Sequence, residues 1–204
     1  MRSTTDAINS YITDMLALEE HIDKAVTGQI QALGDHPQVG ADLQAIQRRV
    51  QLHIAVLTQL MRLRGAATAT DAIKRAGSSV LGRAAGTIDL LRSDGQPKNL
   101  RDDYTAFSLA AIGYVMLNTT ALALGDQEVA DLANHHLRDY AMGVIALHYI
   151  IPAVVVRSLQ KEGLPVREDI LNEVSRNVAQ AWGLGKTGQT HIAGAAPIQG
   201  PPSR

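Results

Sequence analysis

The chain has 204 residues, the length of one ordinary domain, and its 19 Lys and Arg nearly balance its 20 Asp and Glu. It contains no cysteine, which excludes disulfides, thiolate metal ligands and cysteine nucleophiles. Hydrophobic residues make up 46% of the chain but aromatic residues only 3%, so its apolar mass is aliphatic. Because the net charge is only −1, no general attraction to nucleic acid or anionic membranes is expected.

Glycine closes five helical patterns along the chain, as a left-handed residue just past a helix end does: Gly34, Gly65, Gly125, Gly163 and Gly183. The segments between them predict helices over 6–33, 37–64, 99–124, 127–162 and 166–182. Start signals support these boundaries: Asp6, Asp35 followed by Pro37, Asn99 and Asp126. Four long helices joined by short loops bury their apolar stripes by packing side by side. The sequence therefore predicts an all-α bundle with a short fifth helix and no sheet.

The segment between the second and third long helices predicts an accessory crossover helix. It would begin after Asp71, cover 72–92 and bring small residues close to a neighbour. The sequence from Ala32 to Asp35 also recurs 91 residues later as Ala123 to Asp126, at the next helical connection. This short repeat predicts two related helical hairpins connected by the crossover.

Two regions bear on partners and location. Residues 183–204 are rich in Gly, Pro, Ser, Thr and Gln, which predicts an extended tail outside a helical domain of 5–182. This tail is either passive or docks a protein partner through Ile192 and Ile198. Residues 104–125 are uncharged, but Ser, Thr and Asn interrupt them and no aromatic or basic belt flanks them. We therefore expect buried helices of a cytoplasmic protein, with no signal peptide and no membrane span.

Polar side chains interrupt the apolar stripes of three predicted helices. Glu19 stands where the stripe of the first helix enters the core, and His53 fills the gap in the second stripe. His136, Asp139 and Tyr140 lie on the stripe of the fourth helix. Buried carboxylates and imidazoles need partners. Three helices that direct such groups inward build either a metal site or one buried hydrogen-bonded network.

Four segments carry a resemblance to a known family: Met15-Leu-Ala-Leu-Glu19-Glu-His-Ile, Pro37-Gln-Val, Tyr114, and Leu124-Gly-Asp-Gln-Glu-Val-Ala-Asp-Leu132. In these segments the chain resembles the ferritin-like four-helix bundle and, more narrowly, the YciE/YciF-like bacterial family associated with stress. The resemblance covers about residues 5–165. It implies a ferritin-like up-down four-helix bundle with a crossover helix, and we expect such a bundle to form a homo-oligomer through its helix faces.

Ferritin-like metal sites take one Glu from each of two helices and a Glu-x-x-His pair from each of the other two. Carried over to this chain, Glu19 fits the first-helix ligand, whereas Arg49 and Ala110 stand at the second- and third-helix positions. On the fourth helix, Asp139 is followed three residues later by Met142 rather than by His. The resemblance therefore implies a degenerate metal site, in which the Arg49 cation repels metal and neutralises Glu19.

These residues predict a metal-free structural or binding protein with no catalytic residue and no cofactor. In that reading the former ligand positions form part of a core network: Arg49, Ala110, Tyr114 and His136. Two alternatives stay open. One is a divergent oxidase or peroxidase that holds iron or manganese between Glu19, His53 and Asp139. The other is a cargo or adaptor protein that docks through residues 183–204.

Overall fold

The structure is a computed structural model that describes residues 3–32, 37–65, 95–167 and 169–183. It contains the helices α1 (Thr4–Ala32), α2 (Pro37–Leu63), α3 (Gln96–Leu124), α4 (Gln127–Lys161) and α5 (Leu171–Ala181). No strand occurs in these described ranges. The prediction of an all-α helical bundle is confirmed.

Helix ends follow the predicted glycines wherever the structure describes them. Gly65, Gly125, Gly163 and Gly183 have φ between 62° and 77°, the left-handed conformation that glycine adopts without strain. After α3, the Asp126 amide donates to Ala121 O at 2.9 Å, which satisfies a carbonyl that the ending helix leaves free. Gly34 lies outside the described residues.

Helix starts differ from the prediction at three places. At α1, Ser3 is the cap, and its Oγ accepts from the Asp6 amide at 3.0 Å while Asp6 accepts from the Ser3 amide. The predicted start at Asn99 is wrong, because Gly95 precedes a helix whose first turn already contains Pro97. The short helix α5 begins at Leu171 rather than at residue 166.

The four long helices form two antiparallel hairpins, as predicted. In the first, Thr27 Oγ1 near the end of α1 accepts from Gln47 near the start of α2. In the second, Asn118 near the end of α3 donates to Ala130 O near the start of α4. Both pairs place the end of one helix beside the start of the next.

The hairpins pack with α1 against α3 and α2 against α4, and these pairs are antiparallel too. Gln29, late in α1, contacts Asp103 early in α3, and Arg64 just after α2 contacts Asp126 just before α4. Hence α2 and α3 run in the same direction, and Gly65 and Gly95 lie at opposite ends of the bundle. The predicted crossover helix over 72–92 falls outside the described residues.

The core between these helices is aliphatic, with few aromatic rings. Its largest fully buried apolar side chains come from all four helices: Ile8, Ile12, Leu16, Ile22, Leu43, Leu57, Leu100, Phe107, Tyr114, Leu117 and Leu147. By length and composition alone, α3 and α4 would also be able to cross a membrane. Both helices supply core residues here, which is equally typical of central helices in a bundle.

The chain divides into two compact units, Met1–Arg167 and Glu168–Arg204. The first contains the four long helices, and the second contains α5, which has no buried residue. The boundary between a helical domain of 5–182 and a tail of 183–204 stays a prediction. Residues 184–204 lie outside the described part of the chain.

Asp126 stabilises one end of the bundle through two different interactions. Its Oδ1 accepts from the Val129 amide at 3.2 Å and caps α4, while its Oδ2 lies 2.8 Å from Arg64 Nη1. Arg64 also donates through Nε to Asn9 Oδ1 at 2.8 Å. One carboxylate thus connects α4 to the end of α2 and, through Arg64, to α1.

We expect Asp126→Ala to lower the free energy of unfolding by about 2 kcal/mol, because it removes both the cap and the ion pair. Asp126→Ser keeps an oxygen that can cap α4 and should cost about half as much. Urea denaturation of the two variants measures the difference. Equal losses would show that the cap contributes nothing, and no loss in Asp126→Ser would show that the ion pair with Arg64 contributes nothing.

Candidate functional site: a buried carboxylate and histidine cluster

Four polar side chains from four helices meet inside the bundle: Glu19 of α1, His53 of α2, Tyr114 of α3 and His136 of α4. We call these four residues the polar cluster. None is more than 4% exposed, and Glu19 and Tyr114 are at 0%. Each lies on the apolar stripe of its helix, so the packing of the stripes brings the four together. The inward placement predicted for Glu19, His53 and His136 is confirmed.

Glu19 is the centre of the contacts in the polar cluster. Its Oε1 accepts a hydrogen bond from the Tyr114 hydroxyl and lies 3.3 Å from His53 Nδ1, an ion-pair distance. The Tyr114 oxygen in turn lies 2.9 Å from His136 Nδ1. If His136 carries its proton on Nδ1, an unbroken series of donors runs from His136 through Tyr114 to the carboxylate.

Asp139 connects the polar cluster to the surface. Its Oδ2 lies 3.0 Å from His53 Nε2, and its side chain is 26% exposed. His135, whose side chain is 73% exposed, also approaches Asp139 Oδ2 at 3.7 Å. His53 therefore lies between two carboxylates, Glu19 on the buried side and Asp139 on the outer side.

The protonation of the two imidazoles follows from these neighbours. Burial alone would lower the pKa of His53, but the hydrogen bonds and charges of Glu19 and Asp139 outweigh burial and raise it. Burial, together with the charge of His53, lowers the pKa of His136 to about 3. His53 is thus the cationic ring of the polar cluster and His136 the neutral one.

Two opposing effects act on the pKa of the Glu19 carboxyl. Burial raises its pKa, while the hydrogen bonds and charge of His53 and the hydroxyl of Tyr114 lower it. Burial is the stronger effect, so Glu19 holds a proton more tightly than an exposed glutamate does. The His53 cation is therefore the group on which an ionised Glu19 depends.

The donor atoms of the polar cluster are close enough to suggest a metal site, but their directions fit one poorly. One donor atom each from Glu19, His53 and His136 lies within 4.8 Å of the others. However, the His53 and His136 rings are stacked, with centroids 3.7 Å apart and planes 13° from parallel. Imidazole binds a metal through a lone pair in its ring plane at about 2 Å. An ion cannot lie in both of two parallel planes at this separation, so the rings would have to turn to share it.

The other predicted site residues lie in three different settings. Asp139 contacts His53, but it is not one of the three residues whose donor atoms lie within 4.8 Å of one another. The predicted trio of Glu19, His53 and Asp139 is therefore arranged around His53, with one carboxylate on each side of the ring. Ala110 is fully buried as an apolar core residue. The placement of Arg49 in the core network is wrong, because its side chain is exposed and the cation beside Glu19 is His53. The side chains of α2 that face the core here are Val50, His53 and Leu57, and Arg49 lies outside this stripe.

Tyr140 is the residue that the sequence placed on the stripe without giving it a role. Its ring stacks on Tyr114 with centroids 5.8 Å apart and meets Phe107 edge-on at 5.7 Å. Burial, and then the negative charge of Glu19, raise its pKa well above the usual value for tyrosine. The signal in the sequence that identifies Tyr140 as a neighbour of the polar cluster is its position one helical turn after His136.

A pocket beside the polar cluster opens between α2 and α4. His53, Asp139 and Tyr140 line it, and Arg49 and Gly143 lie at its walls. Gly143 keeps α4 close to α3, because a Cβ at this position would lie 3.1 Å from Cδ2 of Phe107, which is 1% exposed. The glycine is therefore needed for close packing rather than for an unusual backbone conformation.

We expect Gly143→Ala to lower the free energy of unfolding by about 1 kcal/mol, since the displaced Phe107 ring outweighs the better helix propensity of alanine. The matched control is Gly40→Ala in α2, where a Cβ meets nothing within 4 Å. That variant should gain about 0.7 kcal/mol. Thermal unfolding compares the two, and an equal gain at both positions would contradict this account of Gly143.

A second buried polar pair lies away from the polar cluster, between α1 and α3. Gln29 Nε2 donates to Asp103 Oδ1 at 2.8 Å, and Asp103 is only 3% exposed. Burial, then the charge of Asp102, raises the pKa of Asp103 to about 7 against the lowering effect of Gln29. Asp103 Oδ2 and Gln29 Oε1 are both buried and make no hydrogen bond within the described residues. The sequence predictions do not include this pair.

The similarity of this chain to known proteins is one of fold. It resembles protein XCC3681 from Xanthomonas campestris pv. campestris str. ATCC 33913, whose crystal structure superposes with a TM-score of 0.64. The match covers 79% of this chain and 99% of that one, at 17% sequence identity. No family model matches the chain, and no curated protein matches it. The comparison therefore establishes a helical bundle fold and no activity.

Proposed function

We propose that this protein is a metal-free bundle of the ferritin-like type that acts as a structural or binding protein rather than as an enzyme. The observation that carries the proposal is the stacking of His53 on His136 at 3.7 Å. Two stacked imidazoles present their lone pairs in parallel planes, which suits packing better than shared coordination of one ion. Ala110 supports the same conclusion, because it offers no ligand atom on α3.

The polar cluster pairs its opposite charges without an ion, although Glu19 Oε2 and His53 Nδ1 make no hydrogen bond within the described residues. The His53 cation lies 3.3 Å from Glu19 and 3.0 Å from Asp139, so the inner carboxylate is neutralised by a side chain. Tyr114 donates to Glu19 and lies within hydrogen-bond distance of His136, so its hydroxyl has two partners. Such a network fixes the relative positions of four helices, because each helix supplies one member.

A second candidate function rests on the 4.8 Å spacing of the donor atoms of Glu19, His53 and His136. Two His and one carboxylate are the ligand set of many mononuclear iron sites. With the rings turned, these residues would hold a divalent ion, and Asp139 would orient His53 as carboxylates often orient metal-bound imidazoles. Such an ion would supply redox chemistry for an oxidase or peroxidase.

Elemental analysis of protein purified without chelators separates the two candidates. We expect no stoichiometric iron, manganese or zinc, and the same unfolding midpoint in EDTA as in excess Mn²⁺. A ligand that binds only the folded chain raises the midpoint by mass action, so a midpoint that rises with Mn²⁺ or Fe²⁺ and not in Glu19→Gln would support the metal site. Bound metal at one equivalent would overturn the metal-free proposal.

The biological setting that we propose is cytoplasmic and stress-related, following the ferritin-like resemblance. A protein partner that docks on residues 184–204 is a third candidate, and its test is independent of the metal. Deletion of 184–204 would abolish co-purification of such a partner while leaving the unfolding midpoint of the bundle unchanged.

A further inference from the structure

The outward side of α3 carries an apolar surface with no charge on it. Five side chains on this side, which we call the α3 face, are 40–54% exposed: Leu109, Ile112, Val115, Met116 and Leu122. They extend along roughly 20 Å of the helix at 1.5 Å per residue. Exposed apolar residues in a contiguous surface of this kind mark a contact site more often than scattered ones do.

The polar side chains on this part of α3 make their hydrogen bonds within the chain. Thr119 Oγ1 donates to Val115 O at 2.8 Å, and Thr120 Oγ1 donates to Met116 O at 2.9 Å. No Asp, Glu, Lys, Arg or His occurs between Asp103 and Asp126. Removing water from the α3 face therefore costs little, because these hydroxyls keep their partners.

Charged side chains of α4 lie level with the α3 face and limit what can cover it. The register of the hairpin, with Tyr114 beside His136 and Asn118 beside Ala130, places Arg138 beside Ile112. The same register places Asp131 one to two turns farther along α3 than Arg138. The side chains of Asp131 and Arg138 are both exposed. A bilayer wide enough to cover the α3 face would also dehydrate these charges at a large cost. A single helix would cover the α3 face and leave them in water at its rim.

The positions of these charges fit a second copy of the same chain. The α3 face extends equally to both sides of the point between Val115 and Met116, and Asp131 and Arg138 lie on α4 on either side of that point, one toward each end of the α3 face. A two-fold axis through this point, perpendicular to α3, pairs two copies of α3 antiparallel and places both copies of α4 on the same side. Asp131 of each copy is then level with Arg138 of the other.

We propose that the α3 face is the contact between two copies of this chain, paired antiparallel about that axis. An isologous contact presents the same residues from both sides, so a surface without charge avoids self-repulsion. The parallel alternative places the two copies of α4 on opposite sides, so that Asp131 and Arg138 of the two copies do not meet. Burial of the α3 face supplies the affinity, and the rim charges select the orientation.

Light scattering coupled to size-exclusion chromatography of the full chain, over a range of concentrations, tests the contact. We expect a dimer for the wild type and a monomer for Ile112→Lys, with the dissociation constant raised at least about 100-fold by two buried charges. The matched control is Leu52→Lys on α2, where an even more exposed leucine lies outside the α3 face; it should remain a dimer. Circular dichroism checks that both variants are folded.

Charge exchange at the rim tests the orientation. Arg138→Asp alone places like charges level with each other and should weaken the dimer about tenfold, and adding Asp131→Arg should restore it. A double variant as weak as the single one would overturn the antiparallel arrangement. A monomeric wild type, a monomeric Leu52→Lys, or a monomer that binds vesicles of phosphatidylcholine and phosphatidylglycerol would overturn the proposal itself.

Discussion

Glu19→Ala should lower the free energy of unfolding by about 4 kcal/mol, a large part of the stability of a domain of this size. The substitution removes the acceptor of the Tyr114 hydroxyl and leaves His53 as a buried cation with only Asp139 beside it. An unpaired buried charge costs more than the lost contact itself, which is why the effect exceeds that of an ordinary polar substitution. Urea denaturation in the presence of EDTA measures the loss without any contribution from metal.

The neighbouring residue gives a matched control for this variant. Glu20 has the same side chain on the same turn of α1, but it is half-buried and lies beside Lys24. Glu20→Ala should cost less than about 1 kcal/mol. Similar losses for the two variants would mean that the polar cluster does not hold the four helices together.

Glu19→Gln separates charge from hydrogen bonding at the same position. The amide oxygen still accepts from Tyr114, but the negative charge beside His53 is gone. We expect about half the loss of Glu19→Ala, together with a lower pKa of His53, because one of the two carboxylates that raise it is removed. Titration of the His53 ring by NMR would report this directly, and an unchanged pKa would contradict the ion pair.

The sequence predicts the helices of this protein well because their signals are local. Apolar periodicity and a closing glycine lie within a few residues of each helix end, and Gly65 and Gly125 end α2 and α3 as expected. The predicted start of α3 is wrong by three residues. Asn99 is a typical cap residue, but Gly95 and Pro97 determine where the helix begins. Both signals are local, but the helix begins after the glycine and not at the asparagine.

The polar cluster is predictable only in part, because its members come from four helices. The stripe of each helix identifies Glu19, His53 and His136 as inward residues. The stripe of α2 places His53 inward, whereas Arg49 was assigned to the core only from the resemblance and lies one helical turn away, outside the stripe. Ring stacking of His53 on His136 depends on the contact between two helices far apart in sequence. Local patterns carry no information on such a distance or angle.

Asp103→Asn should raise the free energy of unfolding at pH 8 by about 4 kcal/mol and should have little effect at pH 4. The pKa of Asp103 is raised from 3.8 to about 7 in the folded chain, with burial as the main cause. Between these pH values the unfolded chain has lost this proton while the folded chain still binds it. Stability therefore falls as the pH rises from about 4 to 7, and at pH 8 the folded chain carries a buried carboxylate.

Asparagine removes this cost and adds a donor. Its oxygen still accepts from Gln29 Nε2, and its NH2 group can donate to Gln29 Oε1, which lacks a hydrogen bond within the described residues. The protonated aspartic acid can make the same pair of bonds, which explains why the two forms should be equally stable at low pH. Asp102→Asn is the matched control, since it removes a carboxylate one residue away that is already paired with Arg101.

Urea denaturation of the wild type and both variants from pH 4 to pH 8 tests this expectation. The wild type should lose stability over that range, and Asp103→Asn should lose about 4 kcal/mol less. Asp102→Asn should lose only slightly less than the wild type, because the charge of Asp102 is a minor cause of the raised pKa of Asp103. A loss of stability in Asp103→Asn at pH 8 would mean that the carboxylate is ionised and held by its neighbours in the folded chain. In that case Gln29 and the end of α1 would have to supply more than the one hydrogen bond seen here.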